Sequence, residues 1–161
     1  MDDLVSTAWL AANLGQADVT VVDSSWFMPS LLRDAREEYL AAHIPGARFL
    51  DIDAVADTSS DAPHMLPGAA EFGRAMVELG VGKDDRIVVY DNSPTRTAAR
   101  GWFMFRYFGA QQVAILDGGL GKWVAEGRPT ESGQPPKRNA RFDAADRNGE
   151  VVSKTQVTRG L

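Results

Sequence analysis

The chain has 161 residues, 44% of them hydrophobic, which suits one buried core plus a tail and leaves no room for a second complete domain. Its 17 basic and 22 acidic residues give a formal net charge of −5, so we expect no nucleic-acid partner. The absence of cysteine excludes disulfides, thiolate metal sites and a thiol nucleophile within these residues. No apolar run is long enough to span a bilayer, and the acidic start Met1-Asp2-Asp3 is unlike a targeting peptide. We therefore expect a cytoplasmic protein without membrane contact.

Short β-branched runs alternate with segments of helical periodicity along the chain. The predicted strands are residues 19–23, 48–52, 86–90 and 113–116. The predicted helices are residues 7–14, 37–42, 70–79, 97–108 and 120–126. Because the strands are continuously apolar, the pattern predicts an α/β fold with a central parallel sheet covered by helices on both faces. Ligands are then expected beyond the carboxyl ends of the strands.

The composition changes after Gly127, where proline, glycine and basic residues replace periodic segments. We predict a domain over residues 4–130 and an interdomain linker over residues 131–150. Residues 152–161 can be aligned with residues 5–14, with a serine in each copy at a position typical of a helix N-cap. This similarity predicts the start of a second, truncated domain over residues 151–161; two unrelated helix starts are the alternative.

Four short motifs occur in a characteristic order. These are His-Ile-Pro-Gly-Ala at residues 43–47 followed by Asp51-Ile52-Asp53, residues 64–67, residues 102–106, and Leu-Asp-Gly-Gly at residues 116–119 with Trp123. Over residues 4 to 130 the chain resembles the first rhodanese domain of the tandem mercaptopyruvate and thiosulfate sulfurtransferases. The resemblance implies a rhodanese-like fold repeated in two domains, of which only the second is catalytic.

The resemblance also implies where the chemistry belongs. In the second domain a cysteine follows the central strand and accepts the sulfane sulfur as a persulfide. In this chain Asp91 follows the matching strand, residues 87–90. The implied function is the N-terminal domain of a sulfurtransferase that moves sulfur from 3-mercaptopyruvate or thiosulfate to a thiophilic acceptor such as cyanide. The chain is expected to be inactive alone, to need no cofactor or metal, and to work with a C-terminal rhodanese domain that binds the small anionic donor.

The loop after this strand is predicted to be a vestigial anion cradle, formed by Asp91, Asn92, Ser93, Pro94, Thr95 and Arg96. Backbone amides and a helix N-terminus attract anions there, and the Asp91 carboxylate can use those amides itself. Arg96 is placed to pair with Asp91. An ordinary capped helix start is the alternative. Asp91 is a poor candidate for a carboxylate nucleophile, because Asn92, Ser93 and Pro94 supply no convincing metal site.

The resemblance further implies that Asp53 and His64 face the catalytic cysteine across the domain interface. A carboxylate that orients a histidine suits proton transfer near neutral pH. The alternatives are a structural histidine and a helix N-cap at Asp53. His43 is predicted to be structural, Asp117 to belong to a turn, and Trp26, Phe27 and Met28 either to cover the core or to contact a partner domain.

Two other functions remain open from the sequence. The first is a stand-alone inactive rhodanese module that binds a protein or an anion. The second is a relative of the dual-specificity phosphatases, whose fold resembles that of rhodanese. Those enzymes also need a cysteine, so its absence here counts against the second function.

Overall fold

The computed structural model describes residues 1–55, 67–92 and 97–144. Within them, five parallel strands form one sheet in the spatial order β1-β5-β4-β2-β3. The strands β1 to β5 are Leu4–Val5, Val19–Asp23, Arg48–Phe49, Arg86–Tyr90 and Val113–Leu116. The helices α1 to α6 are Thr7–Asn13, Ala35–Ala41, Ile52–Val55, Ala69–Leu79, Ala98–Tyr107 and Gly119–Ala125, and a 3₁₀ turn spans Pro29–Leu31. The predicted α/β architecture with a central parallel sheet is confirmed.

The central strand β4 is buried on both faces. Ile87 and Val89 belong to an aromatic core beneath α4 and α5, whereas Val88 and Tyr90 belong to a second core beneath α1, α2 and α6. This alternation follows from the two-residue period of a strand. Because both faces are apolar, β4 appears in the sequence as an uninterrupted apolar run. In the part of the chain that the structure describes, no helix combines the length and apolarity needed to cross a membrane.

Helix α5 lies unusually close to the sheet at Gly101. A Cβ atom there would stand 3.0 Å from Ser24 Oγ and 3.0 Å from Val89 Cγ1, so any larger residue would push the helix outward. At the other end of α5, the ring of Phe72 from α4 stacks on Phe108 with a centroid distance of 4.4 Å. The close approach at Gly101 places the first turn of α5 against Ser24, directly after β2.

Two elements differ from the sequence prediction. The strand predicted over 48–52 ends at Phe49, because Asp51 accepts a hydrogen bond from Ala54 N at 3.2 Å and so starts helix α3. Asp53 therefore lies inside α3 and does not precede it as an N-cap. The short strand β1 was not predicted; Leu4 and Val5 pair with Ile115 and Leu116. Ser6 caps α1 as expected, since its side chain accepts from Trp9 N at 3.0 Å.

The segment 131–144, here called the strap, packs against the domain. At its start Glu131 exchanges two backbone hydrogen bonds with His43, and Gly133 N donates to Leu40 O. Arg138 then forms a two-bond ion pair with Asp85, with N–O distances of 2.6 and 3.0 Å. Near its end Phe142 is 5% exposed and lies in the aromatic core. The role of residues 131–150 as an interdomain linker stays a prediction, but residues 131–144 already contribute to this fold.

The His43 side chain joins the strap to helix α2. Its ring is fully buried and stacks on Tyr39 with a centroid distance of 4.5 Å. Nδ1 lies 2.9 Å from Ile44 O, and Nε2 lies 2.8 Å from Gly133 O. The ring thus has polar partners on both sides, as a buried polar group requires.

Candidate functional site

An open cleft of about 540 Å³ lies at the carboxyl ends of β4 and β5. Its walls come from the loop after β4, the start of α5, and the glycine-rich turn after β5, with Arg33 and Leu4 at its rim. In an open parallel sheet this is the edge at which ligands bind, since the loops that follow the strands converge there. We therefore take this cleft as the candidate functional site.

Asp91 lines the cleft directly after β4. Its Oδ2 accepts a hydrogen bond from the backbone N–H of Ala98 at 2.7 Å. Ala98 is the first residue of α5, so its amide is one of the donors that the helix itself cannot satisfy. The Asp91 carboxylate thus occupies the positive end of the helix from within the protein, where an external anion would otherwise be attracted.

The two ends of the loop after β4 are fixed to the end of β2. Asn92 N donates to Ser25 Oγ at 2.8 Å. Thr97 Oγ1 donates to Ser24 O at 2.6 Å, and Ser24 Oγ donates to Thr97 O at 3.1 Å. From the sequence, Ser24 and Ser25 are recognisable only as the polar end of a strand. The hydrogen bonds of Ser24 and Ser25 hold both ends of the loop after β4 against the carboxyl end of β2.

The opposite wall of the cleft is a glycine turn after β5. Gly118 and Gly119 have φ angles of +85° and +60°, which residues with a Cβ rarely adopt. A Cβ on Gly119 would lie 2.6 Å from Asp91 O, and this same carbonyl accepts a hydrogen bond from Leu120 N at 3.2 Å. The glycine therefore allows helix α6 to approach the backbone of Asp91.

A second carboxylate, Asp23, lies buried beneath the cleft at the end of β2. It is 3% exposed, and its Oδ1 accepts a hydrogen bond from Ser25 N at 2.8 Å. Burial raises the pKa of Asp23 to about 6, with a smaller contribution from the negative charge of Asp91, while hydrogen bonds from Ser25 and Tyr90 oppose the increase. Asp23 is not recognisable as a site residue from the sequence, because an aspartate at the end of an apolar strand does not reveal whether its carboxylate is buried.

Arg33 provides a positive charge at the rim of the cleft. Its guanidinium lies 3.8 Å from the centroid of the Phe27 ring and forms two hydrogen bonds with Glu38, at 2.6 and 2.9 Å. Phe27 is 7% exposed and covers the core, whereas Met28 is 49% exposed. Of the apolar residues that follow β2, Phe27 is thus buried in the core and Met28 is exposed to solvent.

The structure brings together only part of the predicted site. Asp91 and Asn92 both line the cleft. Ser93, Pro94, Thr95 and Arg96, as well as His64, lie outside the described residues. Asp53 belongs to helix α3, and the proposed Asp53–His64 pair stays a prediction. Within residues 1–55, 67–92 and 97–144 there is no group of three or more side chains suited to holding a metal ion.

Replacement of Asp91 by alanine tests its role as an internal anion. We expect Asp91→Ala to lower the free energy of unfolding by about 1–2 kcal/mol, because the Ala98 amide loses its acceptor and the α5 N-terminus loses a negative charge. Asp91→Asn keeps an acceptor and should lose less. Asp117→Ala is the matched control at the neighbouring strand end, where the carboxylate lies 4.0 Å from Lys122 Nζ. Urea denaturation followed by circular dichroism measures all three; equal losses for Asp91→Ala and Asp117→Ala would contradict the assignment.

The fold and the site together define a class of protein. It is a parallel α/β domain in which the positive N-terminus of the helix after the central strand is occupied by a carboxylate of the same chain. Residues 6–126 match the rhodanese-like domain family, and the chain belongs to that family. It is 46% identical over 131 residues to the Arabidopsis thaliana thiosulfate/3-mercaptopyruvate sulfurtransferase 2, covering 81% of this chain and 38% of that protein. It is 44% identical over 148 residues to the human 3-mercaptopyruvate sulfurtransferase, covering 88% of this chain and 50% of that protein.

A solved structure agrees with these sequence similarities. The crystal structure of SseA from Escherichia coli, described as a 3-mercaptopyruvate sulfotransferase, superposes with a TM-score of 0.92 at 37% identity. The match covers 99% of this chain and 62% of that one. The chain therefore spans about half the length of the human relative and less than two thirds of SseA. The predicted rhodanese fold and the resemblance to the sulfurtransferases are confirmed.

Proposed function

We propose that this chain is the non-catalytic N-terminal rhodanese domain of a sulfurtransferase that transfers sulfur from 3-mercaptopyruvate or thiosulfate to a thiophilic acceptor such as cyanide. The observation that carries the proposal is Asp91. It follows the central strand, where the resemblance places the catalytic cysteine of the active domain, and its carboxylate accepts from the first amide of α5.

The chemistry requires a thiolate that this chain does not contain. In the proposed reaction a cysteine thiolate attacks the outer sulfur of thiosulfate, forming a persulfide as sulfite leaves; cyanide then removes that sulfur as thiocyanate. With 3-mercaptopyruvate as donor, pyruvate is the product that leaves. A carboxylate at Asp91 carries no sulfur and repels both anionic donors. The chain has no cysteine at all, so we expect no turnover from it alone.

A C-terminal rhodanese domain would supply the cysteine. The human relative is about twice as long as the region it shares with this chain, which supports such a partner. An apolar surface next to the cleft also supports it: Met28, Leu31 and Leu32 are 49%, 43% and 95% exposed. Exposed apolar side chains grouped in one loop favour burial against another protein surface.

In this proposal Asp53 and His64 act across the domain interface. The carboxylate would orient the imidazole, which would hold or release a proton near the persulfide-forming cysteine. The resemblance is the support for both roles. The position of Asp53 in α3, two residues after the capping residue Asp51, makes its backbone part of a regular helix.

The test measures the formation of thiocyanate from thiosulfate plus cyanide, and of pyruvate from 3-mercaptopyruvate. Each assay is run on this chain alone, on a C-terminal rhodanese domain that carries the cysteine, and on the two combined. We expect no turnover from this chain, turnover from the combination, and at least a tenfold loss with Asp53→Ala or His64→Ala. Asp84→Ala, an exposed residue before β4, is the matched control and should retain full activity.

Two results would reject the proposal. Turnover by the isolated chain would show that another group acts as nucleophile. No increase in turnover on adding the C-terminal domain, at concentrations where the two domains bind, would favour the alternative of an inactive rhodanese module that binds a protein or an anion.

A further inference from the structure

A second cavity, of about 510 Å³, lies at the other edge of the sheet and shares no residue with the cleft. It is an open depression bordered by the edge strand β3, by helices α2, α3 and α4, and by the strap. The residues that line it are Arg36, Tyr39, Arg48, Phe49, Asp51, Ala54, Val55, Ala75, Glu78, Leu79, Gln134, Pro135 and Lys137. The cavity is thus built by both the domain and the strap.

Arg48 is the central polar residue of this cavity. It pairs with Val22 across β2 and β3, so the two side chains lie on the same face of the sheet. Val22 is completely buried beneath α4. Because β3 is the edge strand, the Arg48 side chain on that face reaches the cavity beside α4. Its guanidinium is partly buried, and burial lowers the pKa of Arg48, although arginine stays charged at neutral pH.

The environment of Arg48 differs from that of three arginines that form ion pairs. Arg33, Arg86 and Arg138 each have a carboxylate oxygen within 2.8 Å. Among the residues that the structure describes, no hydrogen bond or ion pair reaches the Arg48 guanidinium. Partial burial of a charge without a partner is costly, and an anion that enters the cavity would recover part of that cost.

The remaining charges around the cavity favour an anion. Arg36 and Lys137 add two exposed positive charges at its mouth. Of the two acidic residues, Asp51 already accepts a hydrogen bond from Ala54 N and thus serves helix α3. Glu78 is exposed on α4. The formal charge of the lining is +1 (three positive, two negative), in a chain whose net charge is −5.

The cavity also has an apolar wall. Four of its lining residues are the apolar Phe49, Val55, Leu79 and Pro135. Small-molecule sites commonly combine an apolar wall with convergent polar and charged groups, as this lining does. A guanidinium pairs best with a planar or tetrahedral oxyanion, to which it can donate two parallel hydrogen bonds.

We propose that this cavity binds a small organic anion, a carboxylate or sulfonate with an apolar body, whose charged group pairs with Arg48 and whose body lies against Val55, Leu79 and Pro135. The site goes beyond the proposed sulfur-transfer function, because it lies away from the cleft and needs no cysteine. Its occupation would hold the strap against β3 and α4.

The test uses naphthalene-2-sulfonate as the probe and isothermal titration calorimetry on the full 161-residue chain. We expect saturable binding at one site, at least tenfold weaker for Arg48→Gln and about threefold weaker for Lys137→Gln. Arg74→Gln is the matched control, because Arg74 is an exposed arginine on α4 outside the cavity, and its affinity should equal that of the unchanged chain. Inorganic sulfate, which lacks the apolar body, should bind at least tenfold more weakly than the probe.

A second measurement does not depend on any variant. In a ¹⁵N-labelled sample the side-chain Nε–H resonance of Arg48 should shift as the probe is added. The proposal is overturned by an unshifted Arg48 resonance, by equal affinity of Arg48→Gln and the unchanged chain, or by equal affinity for sulfate and the probe. All of these readouts measure binding directly, so they are independent of whether the chain takes part in sulfur transfer.

Discussion

Replacing Gly119 by alanine should lower the free energy of unfolding by about 2–4 kcal/mol, the sum expected for a strained positive φ and for overpacking. Gly119 has φ +60°, and its added Cβ would meet Asp91 O at 2.6 Å. The clashing atom belongs to the backbone of the central strand's end, so it cannot move aside as a flexible side chain could. Helix α6 and the cleft wall would have to shift together.

Gly121→Ala is the matched control for this prediction. Gly121 lies two residues further along, inside α6, and nothing stands within 4 Å of the position of its Cβ. Alanine should therefore raise the free energy of unfolding there by about 0.5–1 kcal/mol, because it restricts the unfolded chain and favours the helix. Urea denaturation of both variants measures the two effects. A loss of the same size in both would mean that the turn after β5 is not constrained by Asp91.

Asp23→Asn should stabilise the protein at pH 7.5 by up to about 3 kcal/mol, since a shift of roughly two pKa units corresponds to 1.36 kcal/mol per unit. The pKa of buried Asp23 is raised from 3.8 to about 6. Asparagine keeps an acceptor for Ser25 N and carries no charge, so the cost of a buried negative charge disappears. Asp23 is 3% exposed, and solvent screening therefore reduces this effect little.

The pH dependence of the Asp23 effect has a definite sign. The folded state binds a proton at Asp23 more tightly than the unfolded state, so the native protein loses stability as the pH rises from about 4 to 6. Below pH 4 the carboxyl group is neutral in both states, and Asp23→Asn should change little. The difference in unfolding free energy between the variant and the unchanged chain, measured from pH 3.5 to 7.5, cancels the contributions of the other carboxylates. A difference that is constant across this range would show that Asp23 is not buried as described.

The sheet could be predicted from the sequence because its main strands are buried on both faces. The run Ile87 to Tyr90 is apolar at every position, and burial on two faces requires this. Five of the six described helices, all except α3, were predicted to within one or two residues, since their apolar spacing indicates one buried face. Their caps, such as Ser6 and Asp34, are residues that accept from free amides.

The packing of the strap and the edge strand β1 could not be predicted, because long-range contacts define them. Strand β1 has two residues, and Leu4 is 55% exposed, so it shows no periodic pattern. Phe142 is a lone aromatic residue in a proline- and glycine-rich segment, and its burial depends on Phe72 and Phe105 of other helices. Composition alone favoured a linker there.

For the candidate site, Asp91 was singled out because the family resemblance implies that it stands where the active domain has its cysteine, and this correspondence stays a prediction. Its hydrogen bond to Ala98 agrees with the predicted use of the helix amides. Asp23 and Arg48 were not found. Both are defined by burial and by the presence or absence of partners, which depend on tertiary structure and leave no local signal in the sequence.

The course of the strap has a consequence for how a second domain would be tethered. From Arg138, which bonds Gly80 O at the end of α4, the strap runs back along this helix to Ala144, which lies near Gly73. Because α4 starts at the carboxyl edge of the sheet, the chain at Ala144 heads toward the same edge as the cleft. In the two-domain sulfurtransferase proposed above, a second domain joined after this point would meet the cleft at an effective concentration on the order of millimolar, without any additional contact. Separate domains mixed at micromolar concentration lack this advantage, so covalent connection itself would raise the fraction of assembled active sites.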